Sequence, residues 1–286
     1  MRRGRSTTAT PESASVAPPG APMNEESPEE KGPAVTAITG AVFGEFSEEY
    51  DRFRPDYPAE VWDRLGLGEG ARVADLGAGT GRASAALAER GCIVTAVEPD
   101  DGMAAIARTR SARGSKKFGI VIAPAEATTL GAATQDAVIA AQAYHWFEAA
   151  EANREAFRIL KDTGFFAVIT NDRVVEGTPW LGALEDLIER YNPRHSRDYR
   201  SFDVAERMQR GGHFGDVGSA EFTHAFPATV DSVIGQVRTF SYVRNALTPS
   251  DLVRLEKELR TMLTEVHGEA PFEIPYVTRV AVARRG

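Results

Sequence analysis

The run Val73-Ala-Asp-Leu-Gly-Ala-Gly-Thr-Gly-Arg-Ala-Ser84, followed by Ile93-Val-Thr-Ala-Val-Glu-Pro-Asp-Asp-Gly-Met103, constrains the fold more than any other part of the chain. It reads as a buried strand, a glycine turn, a helix, and a second strand that ends in an acid. Two neighbouring parallel strands with such loops make a nucleoside site at their carboxyl ends, where open α/β sheets place ligands. Glycine lets the backbone adopt the unusual φ/ψ of the turn and come close to a ligand. The acid at the second strand tip, Glu98, has the oxygens to accept from both ribose hydroxyls.

The glycine spacing narrows the choice of nucleoside. A dinucleotide fold wants G-x-G-x-x-G, with a pyrophosphate on the helix N-terminus. Here Gly77, Ala78, Gly79 and Gly81 give G-A-G-x-G, and Asp75 stands two residues before the first glycine. A carboxylate at that place repels a pyrophosphate and suits a ligand carrying an ammonium group, met either directly or through water. S-adenosylmethionine has an ammonium, a sulfonium, a ribose and an adenine, and no phosphate. Asp75 to Gly81 resembles motif I of the class I S-adenosylmethionine-dependent methyltransferases.

The resemblance continues in order along the chain. Glu98 and Pro99 resemble the family's ribose-binding acid and its neighbour, and Asp100 and Met103 match a continuation in which the Met lies against the adenine. Ala125-Glu126 looks like the loop on the adenine edge. The run Ala137 to Phe147 resembles the fourth strand and its loop, with Gln142 facing cofactor or acceptor. The segment Tyr50-Asp-Arg-Phe-Arg-Pro-Asp-Tyr-Pro58 resembles an entry found in small-molecule methyltransferases, which implies Tyr50 and Arg54 near the methionine carboxylate and Tyr57 near the acceptor. Asp162-Thr163 departs from the usual Pro-Gly before strand five and touches only a turn. Taken singly, each residue has a plainer reading: Asp75 as a helix cap, Glu98 as a loop acid, Met103 as core filler.

The resemblance implies a seven-stranded sheet, five parallel strands plus an antiparallel terminal pair, with helices on both faces. The elements read from the pattern are strands near 72–76, 93–97, 118–123, 137–141 and 165–170, then strand signals at 220–226 and 276–283. Helices are expected at 59–67, 81–90, 102–112, 148–160, 181–191, 230–247 and 249–266. Alternation of this kind means a parallel sheet covered on both sides. The 171–217 segment exceeds the length of an ordinary connection and reads as a lid over the acceptor. Residues 1–41, rich in Pro, Ser, Thr, Ala and Glu, read as a disordered tail ahead of one domain at 42–286.

Composition excludes several partners. A net charge of −8 and a pI near 5.3 argue against nucleic acid, which needs a basic face. No apolar run is long enough to cross a bilayer. The single Cys92 permits no internal disulfide, which fits a reducing cytoplasm, and no Cys or His cluster has metal spacing. The expected ligands are thus S-adenosylmethionine and a small-molecule acceptor, on a monomer or homodimer. Methyl transfer from a sulfonium is a displacement in which the protein supplies binding and orientation. A base is needed only where the acceptor must lose a proton. His145 stands where such a base would be, with pKa near neutrality, or else it packs beside Trp146. Tyr144, Trp146, Arg173 and Tyr242 complete the candidate acceptor contacts. The resemblance implies O-methylation of a hydroxyl or carboxylate; N- or C-methylation of a natural-product scaffold, or cofactor binding without catalysis, are the alternatives.

Overall fold

The computed structural model describes residues 53–197 and 202–285. The expected tail at 1–41, Tyr50 and the start of the aromatic entry segment lie outside them. Seven strands form one sheet: β1 (Arg72–Leu76), β2 (Ile93–Val97), β3 (Gly119–Val121), β4 (Gln135–Ala141), β5 (Leu160–Arg173), β6 (Phe214–Ala228) and β7 (Phe272–Arg285). Their order is β3-β2-β1-β4-β5-β7-β6. The first five run parallel, and β7 lies antiparallel between β5 and β6. The order reverses between β1 and β4, which opens a crevice at their carboxyl ends.

Side-chain alternation divides the sheet into two faces. On one, Val73, Ala96, Ile139 and Ile169 meet α1 (Ala59–Leu65), α2 (Arg82–Glu89) and α3 (Asp101–Arg113). On the other, Ala74, Val138 and Val168 meet the Ala149, Ala152, Ala156, Ile159 stripe of α4 (Ala149–Ile159). Such i, i+3, i+7 spacing is the apolar stripe of a surface helix. Cys92 is buried beside α1, as its place before β2 predicts.

A third core lies beyond the carboxyl end of β5. It joins α5 (Pro179–Tyr191), α7 (Val230–Arg238), α8 (Ser241–Arg244) and α9 (Pro249–His267) to the facing ends of β6 and β7. These helices form a cap on the edge that carries the glycine turn. The 171–217 segment is therefore divided: α5 joins the cap, whereas α6 (Val204–Gln209) packs with Met208 and Phe214 into the α4 face.

Three element boundaries differ from the pattern reading. The expected helix at 230–247 breaks at Thr239-Phe240, where the Thr239 hydroxyl donates to the Gln236 carbonyl at 2.6 Å. Such local bonds compete with helix continuation; Phe240 is extended and buried, and α8 restarts after it. β5 begins at Leu160, so Asp162 and Thr163 lie within an exposed strand start rather than in a separate turn. β6 and β7 run far longer than their apolar signal, because their exposed side chains are polar and carry no alternation of their own.

Candidate functional site

The site is built from the carboxyl tips of β1, β2, β4 and β5. Gly77, Gly79 and Gly81 all have positive φ, at 65°, 57° and 76°. At Gly77 an added Cβ would lie 2.6 Å from the Ala143 Cβ, and at Gly81 2.8 Å from the Phe118 ring. At Gly79 it would meet nothing within 4 Å. Two glycines thus serve packing, and the middle one faces open space. Ala78 donates its N–H to the Val97 carbonyl, fastening the turn to β2.

Asp75 is 1% exposed. Its Oδ2 accepts from the Ser84 hydroxyl at 2.6 Å, and its Oδ1 has no hydrogen-bond partner among the described residues. Burial pushes its pKa up to about 7, opposed by the Ser84 bond and aided by the nearby Glu98. A buried carboxylate oxygen left unmatched is costly and suits a ligand donor beside the turn. Glu98 is also buried and its pKa raised, mainly by desolvation. Its Oε2 accepts from Gly79 N–H at 2.8 Å and its Oε1 from Asp100 N–H at 2.9 Å. It therefore sets the glycine turn while each oxygen keeps a lone pair for a ribose hydroxyl. Asp100, for its part, caps α3 by accepting from Met103 N–H, and Pro99 is exposed beside it. The orphan Oδ1, the open side of Gly79 and the paired acids fit a cationic nucleoside such as S-adenosylmethionine, and they do not fit a pyrophosphate.

The β4 tip is strained. Gln142 is not glycine yet has φ 56°, a conformation met mostly where surrounding structure holds it for a purpose. Its backbone N–H donates to the Ile169 carbonyl and its side-chain amide to the Asn171 carbonyl at 2.6 Å. His145 stacks at a tilt on Trp146, which is 48% exposed in the turn after β4.

Tyr144 leaves the site, and several other expected contacts are engaged within the protein. Tyr144 is a core residue, 2% exposed, packed edge-on against Phe147 and Phe166, with its hydroxyl on Asn153 Oδ1 at 2.9 Å. Its position on the inward side of a single 3-10 turn turns it away from the crevice. Tyr57 packs on Trp62 of α1. Glu126 accepts from Glu148 N–H at the start of α4, and Ala125 is buried beneath that loop. Arg54, by contrast, reaches the site's edge: its carbonyl accepts from Arg82, and its guanidinium lies 5.2 Å from the Phe240 ring. Arg173 approaches the same ring at 4.8 Å and pairs with Glu185 at 2.6 Å. Tyr242 stacks flat on His195 at 3.8 Å.

Sequence reasoning missed Ser84, Asn153 and Asn171. Ser84 was legible as a polar residue on the inward stripe of α2. Asn153 likewise interrupts the apolar stripe of α4, and its amide caps the carbonyls of Arg207, Met208 and Arg210. Among the described residues no group of His, Cys, Asp or Glu has the geometry to hold a metal ion. No described helix is long and apolar enough to cross a membrane.

Residues 74–168 match a family model described as a methyltransferase domain. An uncharacterized methyltransferase of Mycobacterium tuberculosis is 37% identical over 148 residues, 52% of this chain and 59% of that one. The match therefore spans about three fifths of the mycobacterial protein. An uncharacterized methyltransferase of Schizosaccharomyces pombe is 26% identical over 237 residues, 80% of this chain and 90% of the relative. A solved structure from Anaeromyxobacter dehalogenans, provisionally named a type II methyltransferase, superposes with a TM-score of 0.60 at 26% identity, covering 81% of this chain and 98% of that one.

Proposed function

We propose that the chain is a class I S-adenosylmethionine-dependent methyltransferase and that it transfers the cofactor's methyl group to an oxygen of a small molecule, a hydroxyl or a carboxylate. The observation that carries this reading is the acid pair Asp75–Glu98 around an open glycine turn, set directly under a helical cap. When bound, the cofactor supplies a methyl group already activated on a sulfonium. Asp75 Oδ1 accepts from the ammonium, Glu98 from the ribose hydroxyls, and Met103 lies against the adenine. Arg54 faces the methionine carboxylate. The cap excludes water and holds the acceptor oxygen in line, an orientation worth several kcal/mol of barrier. His145 takes the proton where the acceptor is a hydroxyl.

Calorimetric titration with S-adenosylmethionine, S-adenosylhomocysteine and NAD tests the cofactor half. Micromolar binding of the first two and none of the third is expected; failure of both adenosyl ligands sinks the reading. Binding without label transfer to any of a broad acceptor set would instead mark a protein that binds the cofactor without catalysis.

A further inference from the structure

Asn171 and Arg173 project from one face of the β5 tip, two residues and about 7 Å apart. Asn171 is 7% exposed. Its side-chain oxygen accepts from the Thr278 hydroxyl at 3.0 Å and meets His224 Nε2 at 3.0 Å. An amide whose oxygen is held twice must turn its NH2 the other way. Among the described residues nothing accepts from that NH2, and the nitrogen is not sealed from solvent. Arg173 touches Glu185 through one nitrogen and one oxygen rather than as a two-bonded fork, and it also bonds to Tyr242; a guanidinium has five N–H donors, more than these two partners use. The Gln142 amide donates to the Asn171 backbone carbonyl, which ties both residues to the loop after β4.

The strand tip thus presents an amide NH2 that no described residue accepts from, beside a guanidinium with donors beyond those on Glu185 and Tyr242. An ionised carboxylate is the complementary group, since it only accepts, and a guanidinium beside an amide NH2 matches its two oxygens. We propose that Asn171 and Arg173 form the docking point for a carboxylate carried by the methyl acceptor. This rests on the methyl-transfer reading. The cofactor's own amino-acid carboxylate offers the same chemistry, so the experiment separates the two.

Full-length protein loaded with S-adenosylhomocysteine is titrated calorimetrically with tricarballylate, glutarate and phenylacetate, each beside its amide. Asn171→Asp keeps the oxygen on Thr278 and His224 and replaces the free NH2 by a second acceptor. Arg173→Lys keeps the charge against Glu185 and removes the fork. At least one acid should bind while its amide does not, and each variant should weaken that acid by about tenfold to a hundredfold, the range for a hydrogen bond to a charged group. Affinity for S-adenosylhomocysteine should stay within about twofold, a change of a few tenths of a kcal/mol. Acids that fail to bind, bind no better than amides, or ignore Asn171→Asp overturn the proposal and leave Arg173–Glu185 a structural pair. Variants that weaken S-adenosylhomocysteine but spare 5′-methylthioadenosine would assign the donors to the cofactor and also overturn it. Failure of the wild-type protein to bind S-adenosylhomocysteine at all refutes the methyl-transfer reading itself.

Discussion

Asp75 is held against its own ionisation, and this has a double signature. Its carboxyl is raised by burial to about 7, against about 3.9 in an unfolded chain. A folded state that binds the proton more tightly gains stability on the acid side. Stability from this group is therefore full below about pH 4, falls as pH rises to about 7, and is level above. The gap of about three pKa units sets a ceiling of about 4 kcal/mol. Binding of the cofactor's ammonium has the opposite sign, because it favours the ionised form. Below pH 7 each unit of acidity should weaken the cofactor about tenfold, with a plateau above that ends at about pH 8, where the ammonium itself loses its proton. Asp75→Asn keeps the shape and removes the charge. At about pH 8 it should unfold later than wild type in denaturant, by no more than the same ceiling of about 4 kcal/mol, yet bind S-adenosylmethionine about tenfold to a hundredfold more weakly. At about pH 5.5 the two proteins should bind more nearly alike, the wild-type group then being mostly protonated. Calorimetry in buffers of different ionisation enthalpy reads the proton released on binding. A variant that is less stable at pH 8 and keeps the wild-type pH slope would refute the reasoning.

Four further outcomes follow from the same geometry. Glu98→Ala removes the acceptor of Gly79 N–H and of the ribose, and should weaken the cofactor about tenfold or more in the same titration. Gly81→Ala combines φ 76° with a Cβ 2.8 Å from Phe118 and should cost roughly 2–4 kcal/mol in denaturant unfolding. Gly79→Ala meets open space, so it should lose only about 1–2 kcal/mol of stability while losing cofactor affinity; equal stability losses would argue against two different roles. His145→Ala should spare most turnover on a carboxyl acceptor and cost a hydroxyl acceptor about a hundredfold or more, measured by label transfer to paired acid and phenol acceptors.

The parallel half of the sheet was legible because burial on both faces writes itself as short apolar runs between turns. The turn at Gly77, Gly79 and Gly81 was legible because its positive φ leaves few residue types for those places, and the roles proposed for Asp75 and Glu98 were read from their charge and place at the strand tips. The acceptor side was not. Tyr144 and Trp146 are both aromatic and two residues apart, and only the 3-10 turn decides that one enters the core and the other faces solvent. Asn171 was not singled out, since an asparagine at a strand end reads as a turn residue until Thr278, 107 positions away, fixes its amide. The cap eluded the pattern for a related reason: α5 and α6 share one long connection yet pack on different cores.

Cap and glycine turn nevertheless act on one another through two residues. Gln236 of α7 donates its amide to the Phe53 carbonyl, and Arg82 at the start of α2 donates to the Arg54 carbonyl. Phe53 packs so closely on α7 that a Cβ at Gly235 would lie 2.4 Å from its ring. A shift of the cap cannot leave the N-terminal edge of α2 unmoved, because closely packed interiors transmit displacement rather than absorb it. Arg82 directly follows Gly81, so that edge is the glycine turn itself. Arg54 and Arg173 approach the Phe240 ring, one from the N-terminal segment and one from β5, and Phe240 is the residue at which the cap's helix breaks. The proposed acceptor and cofactor places thus draw on parts distant in sequence that meet at one aromatic ring.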